Sequence, residues 1–140
     1  MSEANKAMVR RFANEVMNKG NLRMVDELCA PNVVDHSIPP GFPAGAAGVK
    51  QMATTYRSAF PDMRITIEDL IAEGDKVVAR WSGTGTHRGE LMGIPATGKR
   101  VTVTGIGIDR FAGGKMVEHW EIFDQLSMMQ QLGVVPAPGG

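Results

Sequence analysis

RVTVTGIGIDRFAGGKMVEHWEIFD, residues 100 to 124, decides the fold. Its two halves, Arg100 to Phe111 and Met116 to Asp124, read as strands. Between them lies Ala112-Gly113-Gly114-Lys115, whose glycines supply the positive φ of a tight turn, so the stretch predicts a hairpin of two long strands. The same period of two holds upstream. Met63, Ile65 and Ile67 alternate with Arg64, Thr66 and Glu68, Glu73-Gly74-Asp75 reads as a turn, and Val77 to Thr86 reads as a further strand. Four strands in hairpin succession make an antiparallel meander. Gly83, Gly85, Gly105 and Gly107 lie inside those strands and are read as permitting the bends of a strongly curved sheet.

Toward the N-terminus the period becomes helical. Val9, Phe12, Ala13, Val16 and Met17 follow the i, i+3, i+4, i+7 pattern, and Leu22, Val25 and Leu28 begin a shorter helix that Pro31 ends. Val33 to His36 reads as a short strand-like piece, and PPGFPAG, Pro39 to Gly45, as a loop. Val49, Met52, Ala53 and Tyr56 predict a third helix that stops at Phe60, because Pro61 disfavours a helical residue before it. Beyond the hairpin, Leu126 to Leu132 is briefly helical. Helices first and a meander after them indicate α+β: N-terminal helices packed on a strongly curved, mainly antiparallel sheet, enclosing one apolar pocket. One domain over residues 1–134 and a flexible Pro/Gly tail at 135–140 are expected.

Composition narrows the function. Lys and Arg total 15, as do Asp and Glu, with no block of like charge, so neither nucleic acid nor an anionic membrane is an expected partner. The N-terminal MSEANKAMVRRFANEV reads as neither signal peptide nor anchor. A single cysteine, Cys29, without a Cys/His cluster at zinc-ligand spacing, suggests a reducing compartment, the cytoplasm, and no metal. Ten methionines suit an adaptable core or a pocket for a bulky apolar ligand. There is no dinucleotide fingerprint, Walker motif, nucleophile elbow or zincin pair, so catalysis is expected to need no cofactor.

VVDH at residues 33–36, the run from AFPD to GIPATGKRV at 59–101, and GGKMVEHWEIFDQLSMMQQLG at 113–133 together resemble the SnoaL-like polyketide cyclase (ester cyclase) family, within the nuclear transport factor 2-like superfamily. The resemblance spans nearly the whole chain and implies a cone-shaped α+β barrel. It also implies an acid/base aspartate on the last strand, the matching position being Asp124.

Strand alternation puts Glu118, Trp120, Ile122 and Asp124 on one face and His119, Glu121 and Phe123 on the other. If Trp120 and Ile122 face the cavity, Asp124 does too, where apolar surroundings would raise its pKa into the working range of a general acid/base. Asp124 also precedes a short helix, where Asp is a good N-cap. On this reading His119 and Glu121 lie on the outer face or in a subunit contact. His36 shares a face with Val34 and is either a pocket residue or a hydrogen-bonded neighbour of one. Arg80 and Trp81 point to opposite faces: an inward Trp would wall an aromatic-ligand site, an inward Arg would need a carboxylate such as Asp62 or Glu68. Met52 and Tyr56, on one stripe of the third helix, are expected to touch the ligand, and His87 with Arg88 to lie at the rim.

The expected function is intramolecular aldol-type ring closure, or a related proton transfer, on a polyketide-like apolar molecule, with Asp124 and His36 as catalytic residues. The substrate would touch Met52, Tyr56, Arg80, Trp81, Trp120 and Ile122. Two alternatives are a non-catalytic binding module and an epoxide hydrolase-like enzyme using Arg80 with Asp62 or Asp124. The outer sheet face, with Phe123 and alternating Val, Ile and Thr, is expected to be buried in a homodimer.

Overall fold

The computed structural model of the chain describes residues 2–136, so residues 137–140 of the expected Pro/Gly tail lie outside the described residues. In chain order the elements are α1 (Ser2–Arg11), continued as a wider π-helical stretch over Phe12–Asn18, α2 (Arg23–Leu28), β1 (Cys29–Asp35), α3 (Gly45–Ala59), β2 (Arg64–Glu73), β3 (Lys76–Thr86), β4 (Arg100–Ala112), β5 (Lys115–Phe123) and α4 (Gln125–Leu132). The sheet order is β1-β5-β4-β3-β2. β2 to β5 form the antiparallel meander, and β1 joins β5 in parallel. The α+β architecture read from the sequence is the one observed. The turns are as expected too: Gly113 and Gly114 have φ of 59° and 78°, which only glycine adopts without strain, and Gly74 has φ of 60°.

The sheet curls around the helices, and its concave face supplies most of the core. Val9, Val16, Val25, Val49 and Ala53 from the helical side meet Val33, Val77, Ala79, Phe111 and Met116 from the sheet. A second cluster at the other end gathers Phe60, Leu91, Val101, Met128 and Leu132. On the free edge of β2 a side chain imitates a strand at one residue: Asn18 accepts from the Ile65 amide at 2.6 Å and donates to the Ile65 carbonyl at 3.0 Å. That contact satisfies the edge backbone groups of Ile65. Arg57 secures the same corner by donating to the carbonyls of Met17 and Asn18, the open end of the π-helical stretch, at 2.8 Å each.

Two β-bulges set which residues face inward. In β5, Phe111 pairs with Met116 but Arg110 pairs with Glu118, leaving Val117 as an extra residue. In β2, Ile67 pairs with Trp81 but Asp69 pairs with Arg80, leaving Glu68 extra. Each extra residue flips the alternation beyond it.

Gly48 lies in the interior of α3, where Gly→Ala ordinarily stabilises a helix. Here a Cβ would sit 2.0 Å from the carbonyl oxygen of Pro43. Gly48→Ala is therefore expected to lower stability, by about 1–3 kcal/mol, in denaturant titrations; a stabilised variant would show that the Pro39–Gly45 loop yields freely.

Candidate active site

Between the helices and the concave face lies a cavity of about 610 Å³. Its walls are mostly apolar: Phe12, Met17, Met52, Tyr56, Met63, Ile65 and Val103 among them, with Trp81 and Phe123 on the sheet side. The charged residues that reach it are Asp35, Asp109, His119 and Glu121, and among the described lining residues there is no Lys or Arg.

These groups are brought together by strand register. Asp109 on β4 is paired with His119 on β5, and His119 with Asp35 on β1. His119 and Glu121, two residues apart, share a face. His119 Nδ1 and Asp109 Oδ1 are 2.6 Å apart, while Nε2 lies 3.3 Å from Glu121 Oε1. Trp81 Nε1 donates to Glu121 Oε2 at 2.7 Å. Asp35 is held by the amide and hydroxyl of Ser37.

Burial alone would push the His119 pKa down, yet hydrogen bonds to Asp109 and then Glu121, reinforced by the charges of Asp109 and Asp35, carry it well above the ordinary imidazole value of 6.5. The direction of the shift favours the protonated imidazole. Its side chain is 25% accessible against 9% for Asp109, and because His119 lines the cavity that accessible surface is offered to a ligand. Nδ1 is committed to Asp109; Nε2, with only the longer contact, is the side free to engage a ligand oxygen. The other cavity groups are less reactive. Burial, with Asp109 adding, pushes the Cys29 thiol up to about 12, so it stays protonated and is a poor nucleophile. Burial likewise raises Tyr56, which remains a phenol. No cluster of three or more His, Cys, Asp or Glu among the described residues has a metal-binding arrangement.

The expected face of β5 is corrected. The Val117 bulge turns His119, Glu121 and Phe123 inward and Glu118, Trp120 and Ile122 outward. Ile122, 81% exposed, only grazes the cavity mouth, and Trp120 is not in its wall. Asp124 is exposed, and its carboxylate accepts from the Ser127 amide at 3.0 Å as the N-cap of α4. His36 also lies outside, its ring stacked on Trp120 at 5.0 Å and its Nε2 2.7 Å from Glu118, which also binds Arg110. Arg80 points outward and pairs with Asp69, not with Asp62 or Glu68. The Arg–carboxylate arrangement weighed for epoxide opening is therefore not assembled. Met52 and Tyr56 line the cavity, and of Arg80 and Trp81 it is Trp81 that faces it.

His87, expected at the rim, is fully buried. Its Nδ1 accepts from the Thr97 amide at 3.2 Å and so anchors the GIPATGK loop, whose Met92 reaches the cavity mouth. Asp62 of the FPD motif accepts from the Thr86 amide and hydroxyl at 2.7 Å each, bonds that hold its carboxyl below the usual range. Neither the His87 nor the Asp62 side chain lines the cavity.

A family model described as SnoaL-like polyketide cyclase matches residues 7–132. Over 68 residues the chain is 38% identical to aklanonic acid methyl ester cyclase DnrD of Streptomyces peucetius; the match covers 48% of this chain and 47% of that one, so the chain aligns with about half the length of this curated relative. The structure of TsrD from Streptomyces laurentii superposes with a TM-score of 0.89 at 30% identity, covering 96% of this chain and 98% of that one. A structure described as a candidate polyketide cyclase, from Acidithiobacillus ferrooxidans, gives 0.81 at 36% identity over 96% and 97%.

The raised His119 pKa has a thermodynamic consequence. Between the unfolded value near 6.5 and the higher folded value, the native state holds a proton that the unfolded state has released. The His119 contribution to stability is thus complete below about pH 6.5 and lost as pH rises through the folded pKa. In chemical denaturation the stability gap between the native chain and His119→Gln should narrow with pH across that window; a gap that widens would mean the imidazole is buried neutral.

Proposed function

The chain belongs to the SnoaL-like polyketide cyclase family, and from that premise we propose that Glu121 and His119 carry out cofactor-independent aldol-type ring closure on an apolar, carbonyl-bearing small molecule. The observation that carries this reading is the placement of His119, fixed by Asp109 at 2.6 Å on one side and open to an apolar cavity beside Glu121 on the other. A base and a fixed positive charge next to each other are what enolate chemistry requires.

In the proposed reaction Glu121 takes a proton from the carbon beside a ligand carbonyl. The negative charge that develops on the carbonyl oxygen is met by His119 Nε2–H, a charge that burial makes more effective than it would be in water. The enolate carbon then attacks a second carbonyl of the same molecule, a carbon–carbon bond forms, and the new alkoxide receives the proton from Glu121, which ends as it began. Asp109 fixes the ring's orientation and keeps it protonated. The walls contribute by holding the reacting carbons close, which replaces a flexible search with an effective concentration.

The cavity also limits what enters. Three acidic groups face one imidazolium with no Lys or Arg among the described lining residues, so a free carboxylate on the ligand would enter an unfavourable potential. A masked carboxyl, as in the methyl ester named for the Streptomyces peucetius relative, suits it. Outside, Ile71, Ile106 and Ile122 are 65%, 52% and 81% exposed, with Ile106 and Ile122 directly paired, and we assign this face to a homodimer. Trp120 and Ile122 replace Phe123 in that role. A reducing, cytoplasmic setting suits the free thiol of Cys29.

A naphthyl ketone bearing a methyl ester, in deuterated water, tests the chemistry without the authentic substrate: the protein should accelerate deuterium uptake beside the ketone. Glu121→Gln should lower that rate about a hundred- to ten-thousandfold, while Asp124→Asn, which keeps the helix cap, leaves it unchanged. The reverse ranking would return the acid/base role to Asp124. Light scattering should report a dimer that Ile122→Arg converts to a monomer; a native monomer at micromolar concentration would remove the interface.

A further inference from the structure

Trp81 on β3 and Glu121 on β5 are separated by a whole strand, β4, yet their side chains are joined by a 2.7 Å hydrogen bond. Adjacent strands lie about 4.8 Å apart, so the two backbones are roughly 10 Å from each other. Such a contact across a middle strand is possible only where that strand presents nothing to fill the space. At the two places concerned β4 carries glycine. Trp81 is paired with Gly105, which is paired with Phe123, and Glu121 is paired with Gly107. A Cβ on Gly105 would lie 2.5 Å from Trp81 Cζ2 and 2.9 Å from Phe123 Cβ; one on Gly107 would lie 2.7 Å from Glu121 Oε1. Neither glycine has a positive φ, so conformational freedom does not account for them. The requirement is for volume.

We infer that Trp81 is a positioning residue, acting through Glu121, and that Gly105 and Gly107 are the gap in the sheet that lets the indole reach the carboxylate. The inference rests on the acid/base reading of Glu121. A half-buried carboxylate on a side chain with several rotatable bonds has no fixed orientation of its own. Trp81 Nε1–H fixes Oε2, which leaves Oε1 on the side of His119 Nε2, 3.3 Å away. The indole is itself held: its ring packs beside Phe123, with centroids 6.3 Å apart, and against the bare backbone of Gly105. A wall residue that merely filled volume would need no donor directed at the base, and any large apolar side chain would serve in its place.

The chain has two tryptophans, so the indole N–H region of an NMR spectrum holds one signal of interest and one control. Trp120→Phe assigns them. The Trp81 indole proton should resonate downfield as expected for a charge-assisted bond, and move strongly in both Glu121→Gln and Gly105→Ala while the Trp120 signal stays in place. A Trp81 signal indifferent to Glu121→Gln would overturn the inference, and this arm needs no catalysis, so it stands apart from the fate of the acid/base proposal. With the naphthyl ketone ester, Trp81→Phe should lower kcat about ten- to a hundredfold with KM within about twofold. A raised KM at unchanged kcat would make Trp81 a wall residue only. Should Gly105→Ala fail to fold, Trp81→Phe and the Glu121→Gln spectrum still decide the matter.

Discussion

The contact between Asp109 and His119 is the constraint on which the site depends. A carboxylate or an imidazolium alone in the wall of an apolar cavity would be neutralised by its surroundings, because the charged form loses its hydration. Held 2.6 Å from the ring on the neighbouring strand, the Asp109 carboxyl favours the protonated form of His119. That pairing needs β4 and β5 in one register, and the register needs the extra residue at Val117. The His119 ring so fixed lies 3.3 Å from Glu121, and the apolar remainder of the cavity lowers the local dielectric in which polar groups act at close range. The acidic residues, the bulge and the methionine-rich walls are parts of one arrangement.

Much of the fold was legible in the sequence because local chemistry and tertiary context agree. The Gly113-Gly114 turn, the period of two on either side of it, and the helical period before Pro61 each point to a single structure, and each is observed. The family resemblance was legible as well, since its motifs are continuous in sequence. The contents of the cavity were not. Alternation along EHWEIFD divides the residues correctly into two sets but does not say which set is inside. The usual guide, that the apolar set is buried, fails here because both faces have a use: the outer face carries Trp120, Ile122 and Ile106, and the inner face carries the charged groups.

Counting from the turn would have misled as well. Strict pairing back from Ala112 and Lys115 sets Asp109 opposite Glu118, whereas the bulge sets it opposite His119. Nothing in the residue types around Val117 announces that bulge. The glycines carried a further signal. Gly105 and Gly107 leave space beside Trp81 and Glu121 that a side chain would fill. A glycine at alternate positions of a central strand, flanked by strands bearing Trp and an acidic residue, is a pattern that marks a contact across the gap.

The central claim is that a ligand meets His119, Glu121 and Trp81 inside the cone and not Asp124 or His36 outside it. Titrating the isotopically labelled chain with the naphthyl ketone ester, and following backbone and side-chain resonances by NMR, tests this most directly. Shifts concentrated at the His119 ring, the Trp81 indole and the methyl groups of Met52 and Met63 are predicted, with the Trp120 indole and the His36 ring little affected. Shifts centred on Asp124, Ser127 and His36 with the cavity signals unmoved would contradict the account.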